Sequence, residues 1–327
     1  MNKKCKNLIE IRDLKKYFEV RDGLFSKKTL KAVDGISFTI EKGETLGLVG
    51  ESGSGKTTAG RTILRLYEPT SGEIFYRGKK IEGGNDLRDY RRRVSCVFQD
   101  PYSSLDPRMT VADIIGEPLD VQNLCNTEAE RRERILHLMN EVGLSSEHQR
   151  RYAHEFSGGQ RQRIGIARAL ATDPEFLVCD EPVSALDVSI QAQIINMFEG
   201  LRERLSLTYL FIAHDLLVVR HISTRIAVMY LGEIVELSES SALYDYPLHP
   251  YTKALISAIP LPDPKTAKRE SKIILNTDIP SPINKPSGCP YKTRCPHAKE
   301  VCSEEKPKLR EFYKNHLVAC HRAEELL

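Results

Sequence analysis

Nine consecutive residues, Gly50-Glu51-Ser52-Gly53-Ser54-Gly55-Lys56-Thr57-Thr58, fit G-x-x-x-x-G-K-[ST] at every specified position and follow an apolar strand candidate, Thr45 to Val49. Backbone freedom at Gly50, Gly53 and Gly55, with Ser52 between them, lets the chain turn several N–H groups toward phosphate oxygens. The helix expected next adds its positive end at the same point. In such a cradle Lys56 reaches the β- and γ-phosphates, Thr57 offers its hydroxyl to Mg²⁺ and Thr58 hydrogen-bonds the phosphates. The plainer alternative is a Gly/Ser turn between strand and helix. A dinucleotide fingerprint fits worse, because no G-x-G-x-x-G can be read across the loop.

A second acidic element, Phe176-Leu177-Val178-Cys179-Asp180-Glu181, is an apolar strand ending in two carboxylates. An acid there, beside a phosphate loop, can hold Mg²⁺ through water, which we assign to Asp180. Its neighbour can orient and deprotonate an attacking water, which we assign to Glu181. The plain alternative is a pair of solvated acids opening the turn at Pro182. Upstream of these acids lies another Gly-rich turn, Phe156-Ser157-Gly158-Gly159-Gln160. A phosphate loop alone says nucleotide; this turn says which kind of nucleotide machine.

These residues need elements to hold them. Strand-like alternation at Leu8 to Ile11 and Leu30 to Ile40 predicts an antiparallel β layer ahead of the loop. Further strands are predicted at Glu73 to Tyr76, Val94 to Phe98, Phe176 to Cys179, Tyr209 to Ala213 and Arg225 to Tyr230, separated by helix-like stretches. That alternation predicts an α/β fold with a largely parallel core and ligands at the carboxyl ends of its strands. Between Val111 and Leu144 the pattern turns helical and charged, predicting a helical insertion, and Ile190, Ile194, Met197 and Leu201 form a core-facing stripe. With 327 residues and a formal charge of +3, the chain has room for a large core and carries no electrostatic footprint for nucleic acid. No apolar run approaches the ~18 residues of a membrane span, and Met1 to Cys5 lead into no signal-type core, so a soluble, intracellular protein is expected.

The chain resembles the ATP-binding subunits of ABC transporters, specifically the oligopeptide/dipeptide importer branch. The resemblance rests on six elements in the family's order. They are the phosphate loop, Gln99 after Val94 to Phe98, the signature Phe156 to Gln160, the acids Asp180-Glu181, then Ser184-Ala185-Leu186-Asp187, and His214 ending a later strand. Phe156 stands where the signature usually begins with Leu; the position is apolar, so little consequence is expected. The resemblance implies an ABC-type P-loop ATPase with antiparallel β layer, parallel α/β core and helical subdomain, spanning 1–258 with the helical part at about 100–165, and a small Cys-containing C-terminal extension at 259–327.

It also implies a composite site, in which the phosphate loop of one subunit and the signature of another close on the same ATP. Ser157, Gly159 and Gln160 would then serve a γ-phosphate held by the partner. By the same resemblance His214 contacts the γ-phosphate, Gln99 approaches Mg²⁺ and the water, Asp187 lies at the dimer seam and Tyr17 stacks on adenine. For Tyr17 an ordinary packed tyrosine, with Phe18 in the stacking role, stays open. Two stretches, Gln99-Asp100-Pro101-Tyr102-Ser103-Ser104-Leu105-Asp106-Pro107 and Tyr246 to Leu255, resemble peptide importers and their nickel-carrying relatives. Expected partners are a second ABC ATPase subunit in a hetero-dimer or, in isolation, a homo-dimer, two membrane permease subunits, and indirectly an extracytoplasmic peptide-binding protein. The place expected is peripheral, on the cytoplasmic face of the cell membrane, and the cargo is not legible.

From Ile259 onward the prolines at 260, 262, 264, 280, 282 and 286 predict an extended linker. Beyond it Cys289, Cys295, Cys302 and Cys320 lie in a tail with little apolar content, which is expected to need a staple. Disulfides are disfavoured in a cytosolic protein, so the four thiols suit a [4Fe–4S] cluster or zinc, with unligated thiols the remaining reading. The spacing C-x5-C-x6-C-x17-C lacks the paired knuckles of zinc ribbons, and the family resemblance implies an iron–sulfur cluster in some members. His297, His316 and His321 keep zinc open. Most of Cys5, Cys96, Cys125 and Cys179 are expected to behave as small buried hydrophobes. A soluble DNA- or ribosome-acting ABC ATPase fits less well: Thr58 to Phe156 is too short for a long coiled coil and no second phosphate loop follows Asp187.

Overall fold

The computed structural model describes residues 6–22, 26–259 and 280–326. The expected linker prolines at 260, 262 and 264, and Cys5, lie outside them. The chain falls into two compact units: one of Met1–Ile9, Ile40–Thr45 and Phe75–Ile212, the other of Glu10–Thr39, Leu46–Ile74 and Ala213–Leu327.

Two long strands, β1 (Asn7–Asp22) and β2 (Ser26–Glu41), precede β3 (Thr45–Val49) and α1 (Lys56–Ile63), and β4 (Ser71–Tyr76) and β5 (Lys79–Lys80) follow. One sheet runs β2-β1-β4-β5. Both opening strands extend well beyond their apolar alternation; in β1 residues 15–21 are half-buried or exposed, so hydrophobic period alone marks only the buried part.

In the first unit α2 (Gly84–Arg93) leads to β6 (Val94–Val97). The predicted insertion is α3 (Val111–Val121) and α4 (Glu128–Glu141). Each starts where a threonine side chain can accept a backbone N–H, Thr110 from Asp113 and Thr127 from Glu130. Pro118 lies inside α3, which continues one turn past it and buries Leu119. Then α5 (Gly158–Leu170), β7 (Phe176–Asp180), α6 (Val188–Leu205) and β8 (Thr208–Ile212) follow. Strands β6, β7 and β8 pair in parallel, and every residue of β7 and β8 is buried. This is the near-continuous apolar pattern a two-sided parallel core requires.

In the second unit β3 pairs in parallel with β9 (Arg225–Tyr230), which follows α7 (Leu216–Ile222). Strand β10 (Glu233–Glu239) then turns back antiparallel on β9, and α8 (Ser240–Asp245) and α9 (Pro250–Ser257) follow. The extension adds a helical turn, Val301–Glu304, and two strands, β11 (Arg310–Tyr313) and β12 (His316–Val318). Strand β12 pairs antiparallel with β10, with Val318 opposite Glu236, and Ala319 N–H donates to the Val235 carbonyl at 2.8 Å.

The expected need for a staple took no account of this pairing of the tail. It is held by joining the sheet edge of the second unit and by burying Tyr291, Val318 and Ala323. Val318 and Ala323 pack with Leu248, and Phe312 and Cys320 lie against that cluster. Glu236 in β10 is fully buried. Its carboxylate accepts the N–H groups of Leu248 at 2.7 Å and His249 at 2.9 Å and lies 2.7 Å from His316 Nε2. A buried carboxylate needs such partners, and the tail supplies one of them.

Candidate nucleotide site and its relatives

The predicted phosphate loop runs from the end of β3 into α1, with Gly55 at the helix N-cap in a left-handed conformation, φ 102°. Its glycines are required sterically. A Cβ on Gly50 would sit 2.2 Å from the Met229 carbonyl oxygen, and one on Gly55 2.1 Å from that of Ala32. Lys56 is buried, and its Nζ donates to the carbonyls of Gly50 at 2.7 Å and Glu51 at 3.0 Å, so the ammonium is folded against the loop. Ser52 and Gly53 are exposed at the tip and Thr57 and Thr58 half-buried behind it.

Two contacts on this loop had no sequence signal. Tyr251, at the start of α9, accepts the Glu51 N–H on its hydroxyl at 2.8 Å. Arg294, in the extension, donates bidentately to the Glu51 carboxylate at 2.6 and 3.0 Å. Arg294 lies beside a cluster of buried rings in which Tyr230, Tyr251 and Tyr291 have centroids 4.7 to 5.4 Å apart.

Tyr17 is half-buried and its hydroxyl donates to the Asp34 carboxylate. Burial and that carboxylate push the phenol above its usual range. Burial alone would raise the Asp34 carboxyl, but the Tyr17 hydroxyl and the Lys285 ammonium, 3.0 Å away, outweigh it and hold the pKa below the ordinary value. The competing ring, Phe18, meets Tyr67 edge-on at 5.6 Å and Lys16 at 4.9 Å. His214 is exposed in the turn between β8 and α7, where Asp215 caps the helix by accepting the Leu217 N–H at 2.8 Å.

The remaining predicted residues lie in the first unit. Asp180 is buried at the end of β7. Glu181 follows with φ 46°, a left-handed conformation uncommon outside glycine, and its N–H donates to the Ile212 carbonyl at 2.9 Å. Gln99, exposed just after β6, donates from Nε2 to Glu181 Oε2 at 3.0 Å, so the fold joins these two predicted residues directly. Ser157 caps α5: it accepts the Gln160 N–H at 3.4 Å while the Gln160 side chain accepts the Ser157 N–H at 3.1 Å. Gly159 cannot carry a side chain without displacement, since a Cβ would lie 2.6 Å from Ile190 Cγ2. Phe156 is buried against the His148 ring, as an apolar position should be. Asp187 is exposed and caps α6; hydrogen bonds from the Ser189 hydroxyl and the Ile190 N–H hold its carboxyl below the usual range.

Sequence reasoning also missed how Gln99 to Pro107 is tied to the signature helix. Arg168 donates to the Ser104 carbonyl at 2.7 Å, and the Arg161 guanidinium lies 4.3 Å from the Tyr102 ring centroid. Both arginines sit on one face of α5, four and eleven residues past Ser157, a spacing that could have marked them.

The four tail thiols share one electrostatic neighbourhood. Burial raises each of Cys289, Cys295 and Cys320, Cys289 to about 12, and they lie close enough to act on one another and on Cys302. All four are free thiols, and among the described residues no group of three or more His, Cys, Asp or Glu is arranged to hold a metal ion. Neither the iron–sulfur nor the zinc expectation is supported by this donor arrangement. Of the other cysteines Cys179 is buried, while Cys96 and Cys125 are half-buried. No helix among the described residues is long and apolar enough to cross a membrane.

A phosphate loop, a buried strand ending in two acids and a serine-capped Gly-rich helix start define an ABC-type ATPase. Residues 33–184 match the ABC transporter family, and residues 235–302 match the C-terminal region of oligopeptide/dipeptide transporters. The chain is 53% identical over 319 residues to an oligopeptide transport ATP-binding protein of Bacillus subtilis, AppF, covering 96% of this chain and 97% of the relative. Another B. subtilis oligopeptide transport ATP-binding protein, OppF, is 59% identical over 260 residues, 79% of this chain and 84% of that one. Among solved structures, the ATP-binding cassette MJ0796 in a dimeric post-hydrolysis state with ADP and Pi gives a TM-score of 0.63 at 28% identity, over 71% of this chain and 98% of that chain. The chain therefore belongs to the ABC transporter ATP-binding proteins, in their oligopeptide/dipeptide transporter family.

Proposed function

We propose that this chain is the ATP-hydrolysing subunit of an importer of di- or oligopeptides, with nickel the alternative cargo. The observation that carries the catalytic reading is the Gln99–Glu181 hydrogen bond at the end of β7, in a chain whose relatives over 96% of its length are oligopeptide transport ATP-binding proteins. Residues 50–58 bind the ATP phosphates, with Lys56 exchanging loop carbonyls for phosphate oxygens, and Tyr17 stacks on adenine. Thr57, Asp180 and Gln99 have the oxygen donors that Mg²⁺ takes, and the ion when bound neutralises phosphate charge. Glu181 orients and deprotonates the attacking water, His214 contacts the γ-phosphate, and Gln99 reports nucleotide state through its bond to Glu181.

Ser157, Gly159 and Gln160 serve an ATP held by a second ABC ATPase subunit, with Asp187 at the seam. Residues 1–258 form the ATPase domain, its helical part at about 100–165 facing two membrane permease subunits. The complex sits on the cytoplasmic face of the membrane and receives cargo from an extracytoplasmic peptide-binding protein. In residues 259–327 the thiols of Cys289, Cys295, Cys302 and Cys320 are a candidate [4Fe–4S] or zinc set. Their shared neighbourhood supports this and their arrangement does not; iron, sulfide and zinc assays on anaerobically prepared protein separate cluster, zinc and bare thiols.

The test of the catalytic reading is a pair of variants. Glu181→Gln is expected to bind ATP as the parent does, to lose at least about 100-fold in hydrolysis, and to accumulate as an ATP-bound dimer. Turnover near the parent's would sink the assignment. Lys56→Ala is expected to weaken ATP binding itself.

A further inference from the structure

Gly50 to Thr58 contains one acidic residue, Glu51. A loop that gathers N–H groups and a lysine around a polyanion is a poor place for a carboxylate, because like charges a few ångströms apart in a partly buried site repel strongly. Here that carboxylate is matched by Arg294, whose side chain is 4% exposed and whose two terminal nitrogens meet both oxygens. The pair is bidentate, so a lysine could not reproduce it, and it is shielded from the salt screening that weakens surface pairs. Arg294 is itself held: its N–H donates to the Tyr291 carbonyl at 3.0 Å, and its guanidinium lies about 6 Å from the rings of Tyr230 and Tyr291, at 5.9 and 6.0 Å. Glu51 is thus gripped at its N–H by Tyr251, at its carboxylate by Arg294 and at its carbonyl by Lys56.

We propose that Arg294, from the C-terminal extension, is a positioning residue of the nucleotide site: it neutralises and orients Glu51, and the extension thereby sets the ATP affinity of the phosphate loop. This rests on reading residues 50–58 as the ATP-binding loop. Removing Arg294 leaves a carboxylate uncompensated against the incoming triphosphate, whereas removing both charges does not. The two changes therefore separate a charge role from a packing role.

The experiment measures Mg-ATP Kd by calorimetry, and KM and kcat for hydrolysis, on the full-length chain. Arg294→Ala is expected to raise Kd and KM about tenfold, roughly 1.4 kcal/mol, with kcat within about twofold. Glu51→Gln combined with Arg294→Ala is expected to return Kd to within about threefold of the parent. If Arg294→Ala does not fold, Arg294→Gln, which keeps the stem beside Tyr230 and Tyr291, reads the same quantity. A Kd within about twofold of the parent for the single variant, or a double variant as weak as the single, overturns the proposal. Lys56→Ala distinguishes the failures. Lost binding there with no effect at Arg294 removes only this inference; unchanged binding at Lys56 removes the loop reading and this inference together.

Discussion

Replacing Tyr291 with alanine tests whether the extension is held to the second unit by packing. The ring is 1% exposed and meets Tyr230 at 5.3 Å, Tyr251 at 5.4 Å and His249 at 5.7 Å between centroids. Truncating a buried aromatic to alanine costs about 3–5 kcal/mol, a figure that already includes aromatic contacts worth roughly 0.5–1.5 kcal/mol each. At on the order of 2 °C per kcal/mol for a chain of this size, the unfolding midpoint should fall by about 6–10 °C. The Tyr291 hydroxyl is buried with no hydrogen-bond partner among the described residues. Tyr291→Phe should therefore change stability by less than about 1 kcal/mol, in either direction. The assay is thermal and denaturant unfolding of both variants beside the parent, repeated after iron and zinc have been stripped. The gap between the two variants should survive stripping, since the ring touches tyrosines and a histidine. Equal midpoints for Tyr291→Ala and Tyr291→Phe would refute the packing account.

His249 is buried, and its Nδ1 accepts the Tyr251 N–H at 3.1 Å, capping α9. Burial lowers its pKa from 6.5 to about 4, with Glu236 opposing the shift. The unfolded chain therefore takes up the extra proton: this contribution is full above about pH 6.5 and falls by up to about 3 kcal/mol as pH drops toward 4. His249→Asn keeps a capping acceptor and should flatten the stability profile over that window; parallel profiles would count against the shift. In the first unit, Gly159→Ala should cost about 1–3 kcal/mol by driving a methyl into Ile190, and should slow hydrolysis by moving the start of α5. Adding Ile190→Ala should recover stability, and a double variant no better than the sum of the singles would disprove the clash.

The legible parts of this fold are those where one short stretch of chain answers to one physical demand. The phosphate loop needs its glycines because the Met229 and Ala32 carbonyls leave no space for a Cβ at Gly50 or Gly55, and β7 and β8 are apolar but for Asp180 and Thr208 because all their residues are buried. Strand β9 falls where it was expected, Arg225 to Tyr230. By contrast β10 was not foreseen, because Glu236 interrupts an otherwise apolar run with a charge that reads as solvent-facing and is in fact fully buried. The tail strands β11 and β12 were missed for a related reason. They are short, β11 is largely exposed, and they become strands by pairing with each other and, for β12, with β10.

Glu51 and Glu236 show why local reading stops where it does. Each looks like an ordinary surface acid beside its chain neighbours, and each is settled by a side chain far along the sequence: Arg294, 243 residues away, and His316, 80 residues away. Both partners come from the extension. A carboxylate placed near a phosphate-binding loop, or inside a strand, is unfavourable without its counterpart. Residues 280–326 therefore do more than add surface to an ATPase that could stand without them. They supply partners to two acids in the second unit, one in the phosphate loop and one in the strand that the extension joins.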